Sequence, residues 1–142
     1  MKKNVLRALL LSFVSAIVVL SCSKTETQTS SPTCTAGTGG NLTIAAFPKH
    51  HGKPINNLPG HLDTIYVKFN TQEFPGGLNK FDTYFVGEAG ENHVHMTGLK
   101  CGNYYFYGAG YDTTIHMRVT GGLPYSTSKT SGETDLDIPV TE

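Results

Sequence analysis

Residues 92–119 read NHVHMTGLKCGNYYFYGAGYDTTIHMRV, and the way polar and apolar residues take turns along them decides the fold. In an extended chain neighbouring side chains point to opposite faces. Val94 and Met96 therefore share one face, while His93 and His95 share the other. Ile115, Met117 and Val119 oppose His116, Arg118 and Thr120 in the same way, and Tyr104 and Phe106 oppose Tyr105 and Tyr107. No helical period interrupts this alternation, so the stretch is expected to lie in sheets with its apolar face buried. Each His-Met pair consists of sequence neighbours, which then point apart and cannot hold one metal ion together.

The same alternation recurs on both sides of this stretch. Strands are predicted at 41–47 (NLTIAAF), 62–69 (LDTIYVKF), 81–87 (FDTYFVG), 92–98 (NHVHMTG), 103–110 (NYYFYGAG), 113–120 (TTIHMRVT) and 134–140 (TDLDIPV). In the last of these Leu136, Ile138 and Val140 oppose Asp135 and Asp137. Loops are predicted where Gly and Pro cluster: PKHHGKPINNLPG, QEFPGGLN, GGLPYS and STSKTSGE, the last as a solvated hairpin. Seven short strands in about 110 residues predict one all-β domain, a seven-stranded antiparallel β-sandwich.

The N-terminal end, MKKNVLRALLLSFVSAIVVLSC, carries Lys2, Lys3 and Arg7 ahead of a neutral stretch from Ala8 to Leu20. A positive start and an apolar run too short for a bilayer of roughly 30 Å describe a secretion signal. Val19-Leu20-Ser21-Cys22 resembles the lipobox of bacterial lipoproteins. The resemblance implies cleavage after residue 21, acylation of Cys22, and a domain held to a membrane of the bacterial envelope, most naturally the outer membrane, facing the periplasm or the surface. Residues 22–37, rich in Ser and Thr, read as a tether, and 38–142 as the sandwich domain. Removing Lys2, Lys3 and Arg7 leaves eight basic residues against eleven acidic ones, a formal charge of −3. Such a balance disfavours nucleic acid as a partner.

Outside the cell, the two remaining cysteines, Cys34 and Cys101, are expected to pair. The bond would close a loop of about 67 residues and contribute about 4 kcal/mol in the chain-entropy account.

Leu99, Gly102 and Tyr104, with Gly110-Tyr111 ending the strand, resemble the Leu-x-x-Gly-x-Tyr corner of the carboxypeptidase-regulatory, transthyretin-like and Cna-B-like β-sandwich modules. Gly40 to Ile44, Gly52-Lys53-Pro54-Ile55 and TDLDIPV resemble other parts of those modules, while His61-Leu62-Asp63 stands where their second strand usually opens with Gly-Ala. The resemblance implies a transthyretin-like topology, with an immunoglobulin-like one beside it, and an accessory, docking or adhesion role. At the corner, glycine permits the turn between sheets and the tyrosine hydroxyl satisfies a backbone group.

No Gly-x-Ser-x-Gly elbow, HExxH or CxxC occurs, so no enzymatic activity and no cofactor are expected. The expected partners are the membrane, through the lipid on Cys22, and another envelope protein. The alternative is a copper- or zinc-binding protein. His93 and His95 stand on one strand face at a spacing from which two imidazoles converge, and His50 and His51, with His61, lie in or beside one long loop. Carbohydrate is disfavoured, because parity sends half of the tyrosine cluster inward and the chain has no tryptophan. Asp63-Thr64-Ile65 and Asp112-Thr113-Thr114 resemble the O-glycosylation acceptor of Bacteroidota envelope proteins, which makes Thr64 and Thr113 candidate modification sites.

Overall fold

The computed structural model describes residues 34–142; the expected signal segment, Cys22 and the expected tether up to residue 33 lie outside the described residues. Eight strands follow one another: β1 (Thr38–His50), β2 (Lys53–Pro54), β3 (Thr64–Phe69), β4 (Thr83–Val86), β5 (Val94–Leu99), β6 (Gly102–Asp112), β7 (Met117–Thr127) and β8 (Ser131–Val140). They form two sheets. In the first, β1 is central, with β8 along one edge and β5 then β2 along the other. The second has the order β4-β3-β6-β7.

The core is the set of inward residues that alternation selects. Leu42, Ile44, Val94, Met96, Leu99 and Ile138 of the first sheet meet Ile65, Val67, Tyr104, Phe106 and Val119 of the second, all fully buried. Each such side chain contributes about 1.5–3 kcal/mol through the area it removes from water.

The chain passes between sheets at Lys100-Cys101. Gly102 follows with φ 146°, and a Cβ there would stand 2.4 Å from the Ala36 nitrogen. The Tyr104 hydroxyl donates to the Lys100 carbonyl and accepts from the Gly37 N–H at 3.3 Å. Asn70 Oδ1 accepts from the Ala36 N–H at 3.0 Å, and Cys34 is joined to Cys101 with their Cα atoms 5.6 Å apart. The segment leading into β1 is therefore fastened to this corner at several points.

Three expectations are corrected. There are eight strands, not seven, because β1 runs on to His50 and turns back into β2 through His51 and Gly52. Their φ values of 48° and 77° are those a tight two-residue hairpin turn requires. The sandwich is not wholly antiparallel: β1 and β8 run parallel from Asn41 opposite Ser131 to His50 opposite Val140. Alternation sets which face a residue takes, not the direction of its neighbour, and residues 128–130 cross from one sheet to the other instead of closing a hairpin.

The third correction concerns β7, which starts at Met117 and runs through Gly121-Gly122-Leu123-Pro124, so GGLPYS is strand and not loop. Asp112 accepts from both the N–H and hydroxyl of Thr114, at 2.8 and 2.6 Å, and His116 adopts φ 54°, which makes 113–116 a turn. Ile115 and Met117 are consequently exposed, and only Val119 of the expected trio is buried. Pro124 is tolerated because β7 is an edge strand. Gly121 is needed because a Cβ there would lie 2.2 Å from the Pro139 carbonyl oxygen, where the end of β8 approaches.

Candidate metal centre

The histidines named from sequence separate into two groups on opposite sides of the first sheet. Along β1 the even positions Leu42 to His50 point inward and the odd ones outward. His95 lies opposite outward Ala45, and Met96 opposite inward Ile44. His50 thus belongs to the interior and His93 and His95 to the outer face. His116 sits in the turn before β7, on the other sheet, and His61 stacks on Tyr111 with ring centres 4.3 Å apart.

On the outer face Nε2 of His93 and Nε2 of His95 are 2.8 Å apart, with the rings nearly perpendicular. Glu91 Oε2 stands 3.5 Å from His93 Nε2. His93 Nδ1 is 3.2 Å from Asn92 Oδ1, and in the tautomer that donates the Nδ1 proton to that oxygen, Nε2 presents its lone pair. That lone pair, the Glu91 carboxylate and a second imidazole nitrogen converge on one point, and the three ligand atoms lie within 4.8 Å of one another. Electron-rich atoms so arranged are satisfied by a shared proton or by a cation. Outer-sphere hydrogen bonding of the distal ring nitrogen, which Asn92 provides here, is the usual companion of a metal-binding imidazole.

The surroundings add to this. His93 packs against Phe47, ring centres 5.0 Å apart, and its carbonyl accepts from Asn57 Nδ2 at 3.1 Å, which fixes the backbone at the first ligand. Asn57 is itself fully buried. On β8 the outward residues opposite Thr43, Ala45 and Phe47 are Glu133, Asp135 and Asp137, and of these Asp137 alone has a salt bridge among the described residues, to Lys49 at 2.7 Å. A row of carboxylates one strand away makes the face attractive to cations.

The inward group is built differently. His50 is buried, its Nδ1 2.8 Å from Asp112 Oδ2 and its Nε2 2.8 Å from Glu142 Oε2. Both contacts favour the imidazolium: the Asp112 bond first, then the Glu142 bond, raise the pKa of His50. Asp112, held by the Thr114 hydroxyl, by His50 and by the Thr114 N–H, is lowered to about 2. His51 stacks over His50 at 4.2 Å beside a cavity of about 250 Å³ lined by both histidines, Lys53, Tyr111 and Thr113. His50, His51 and Glu142 also offer ligand atoms within 4.8 Å of one another, but here both ring nitrogens of His50 are already taken up by carboxylates.

Asp63 is the interior's exception. It is fully buried, neither carboxylate oxygen has a hydrogen-bond partner, and burial alone pushes its pKa up to about 7. The glycosylation candidates differ in access, Thr113 being exposed in the turn and Thr64 half-buried on β3.

Glu91 and Glu142 were not singled out from sequence, and Asp112 and Asp63 were named only as parts of the glycosylation triplets. Glu91 was findable, since it stands two residues before His93, although it precedes the strand and parity does not apply to it. The other three are brought into place by contacts between distant segments. No family model, no curated relative and no solved structure matches the chain.

Proposed function

We propose that this chain is a non-catalytic lipoprotein of the bacterial envelope, anchored through Cys22, whose β-sandwich serves as an accessory binding module and takes up a copper or zinc ion at Glu91, His93 and His95. The observation that carries the metal reading is the 2.8 Å approach of the two Nε2 atoms, with Glu91 Oε2 3.5 Å from one of them. Two imidazoles and a carboxylate suit zinc or copper(II), and no thiolate is present in the cluster to favour copper(I). Three ligands on an open sheet face leave coordination positions free, which favours exchange of the ion over permanent retention.

The anchoring half rests on the lipobox resemblance and is tested by Cys22→Ala, which is expected to move the protein from the membrane to the soluble fraction; retention removes that claim. The metal half is tested by calorimetric titration of the detergent-solubilised full chain with zinc and copper(II). Micromolar binding is expected, with histidine nitrogen couplings in the copper(II) electron paramagnetic resonance spectrum, and no binding at micromolar concentrations refutes it.

A further inference from the structure

We infer that the outer face of the second sheet is a binding trough for an acidic saccharide, a pyranose chain carrying a carboxylate. Strand register lays out this face row by row. Tyr84, Tyr66 and Tyr107 lie directly opposite one another across β4, β3 and β6. The next outward row is Val86, Thr64, Ala109 and Thr120, and beyond it Tyr111 faces Arg118 on β7. A row of small residues between two rows of large ones is a furrow. Its closed part is a cavity of about 120 Å³ lined by Tyr66, Thr64, Ala109, Tyr111, His61 and Arg118, among others.

The walls are aromatic. His61 stacks nearly parallel on Tyr111, with 19° between planes. On the other side Tyr66 lines the furrow, backed by Phe81 at 5.8 Å, and beyond it Phe74 lies 5.3 Å from Tyr107 and 5.9 Å from Tyr105. Tyr84 is 62% exposed and Phe74 46%. Sequence parity sees two outward tyrosines here, on β6; the rest of the surface comes from β3, β4 and the connection between them. It therefore offers considerably more stacking area than the absence of tryptophan suggests.

Charge and polarity select the ligand. The lining contains no carboxylate, and Arg118 is exposed and forms no salt bridge among the described residues. An arginine fork without an acid of its own suits a planar carboxylate. An apolar partner would leave Arg118, Thr64, Thr120 and the tyrosine hydroxyls unpaired, at a cost for each buried group. A nucleic acid demands several cations along its backbone, and the furrow holds one arginine. A pyranose ring answers both features, its C–H face against tyrosine rings and its hydroxyls against threonine and tyrosine hydroxyls, with the carboxylate on Arg118.

The test is calorimetric titration of the detergent-solubilised full chain with tetragalacturonate and, as the neutral counterpart, maltotetraose, both with a chelator present so that the metal reading is not involved. Tetragalacturonate is expected to bind, and maltotetraose to bind at least roughly tenfold more weakly, the loss that follows from one charge-assisted pair. Arg118→Gln, an exposed substitution, should bring the acidic ligand to the neutral level, and Tyr66→Ala should abolish both. No binding of tetragalacturonate at millimolar concentration, equal affinity for the two ligands, or full affinity in Arg118→Gln overturns the proposal. If Tyr66→Ala loses its fold, chemical-shift changes at Ala109 and Thr120 of the unaltered chain decide in its place: their presence supports the furrow and their absence refutes it.

Discussion

His50 and the pair His93 and His95 lie on opposite sides of one sheet, and the difference between them is a matter of partners more than of burial. Each ring nitrogen of His50 meets a carboxylate, so the group is complete with a proton. The outer pair and Glu91 meet one another on an open face, their three ligand atoms within 4.8 Å of one another. A histidine enclosed by acids holds a fold together; a pair converging on an open face offers its nitrogens to a ligand. The same contrast separates the inward acids: Asp112 with three donated hydrogen bonds is lowered to about 2, and Asp63 with none on its carboxylate is raised to about 7.

The largest expected effect breaks the comparison at Asp63. Its folded pKa of about 7 lies above the ordinary value of 3.8, so its contribution to stability is full below pH 3.8 and is lost as pH rises through about 7. At 1.36 kcal/mol per unit the loss is at most about 4 kcal/mol. Chemical denaturation of wild type should show stability falling across that window, and Asp63→Asn should flatten the fall; an unchanged slope means that Asp63 has found a donor. His50 acts in the same direction at higher pH: its raised pKa makes its contribution full below 6.5 and lost as pH climbs past the folded value.

Next is a crossed pair of substitutions. His95→Ala should weaken metal binding by at least roughly a hundredfold, about 2.7 kcal/mol, while leaving the thermal midpoint in place. Asp112→Ala should lower stability by about 2 kcal/mol, the scale of a hydrogen bond to a charged group, and leave metal affinity intact. Metal binding that falls with Asp112 and survives the loss of His95 would move the centre to the interior cluster. The smallest expected effect sharpens the outer site: Asn92→Ala should cost roughly tenfold in metal affinity, as the loss of an outer-sphere partner does, read by the same titration.

Legibility in the sequence followed the physics that each feature depends on. Alternation alone was enough for the buried faces of β5, β6 and β8, and Leu99-x-x-Gly102-x-Tyr104 was enough for the corner, since these depend on residues close together in the chain. It failed at Ile115 and Met117, where Asp112 ties a turn through Thr114 that an alternating pattern does not reveal. It failed at Gly121-Gly122, read as a break, where small residues admit a neighbouring backbone. The convergence of His93 with His95 was legible because the two are separated by one residue at the start of β5, His93 just ahead of Val94 and His95 just after it. The furrow was not, because its tyrosines come together through the pairing of β3 with β4 and β6.

The fastening at Cys101 and Tyr104 gives the domain a near end and a far end. β5 runs from Leu99 at that corner to Val94, opposite Ala46, in five steps, about 17 Å at 3.3 Å each. β6 leaves it at Gly102 and comes to Tyr111, opposite Arg118, after nine, about 30 Å. The arginine furrow rides near the far end of a stiff post whose foot is Cys34, with the histidine cluster partway up; under the proposed anchoring through Cys22 both would stand clear of the membrane.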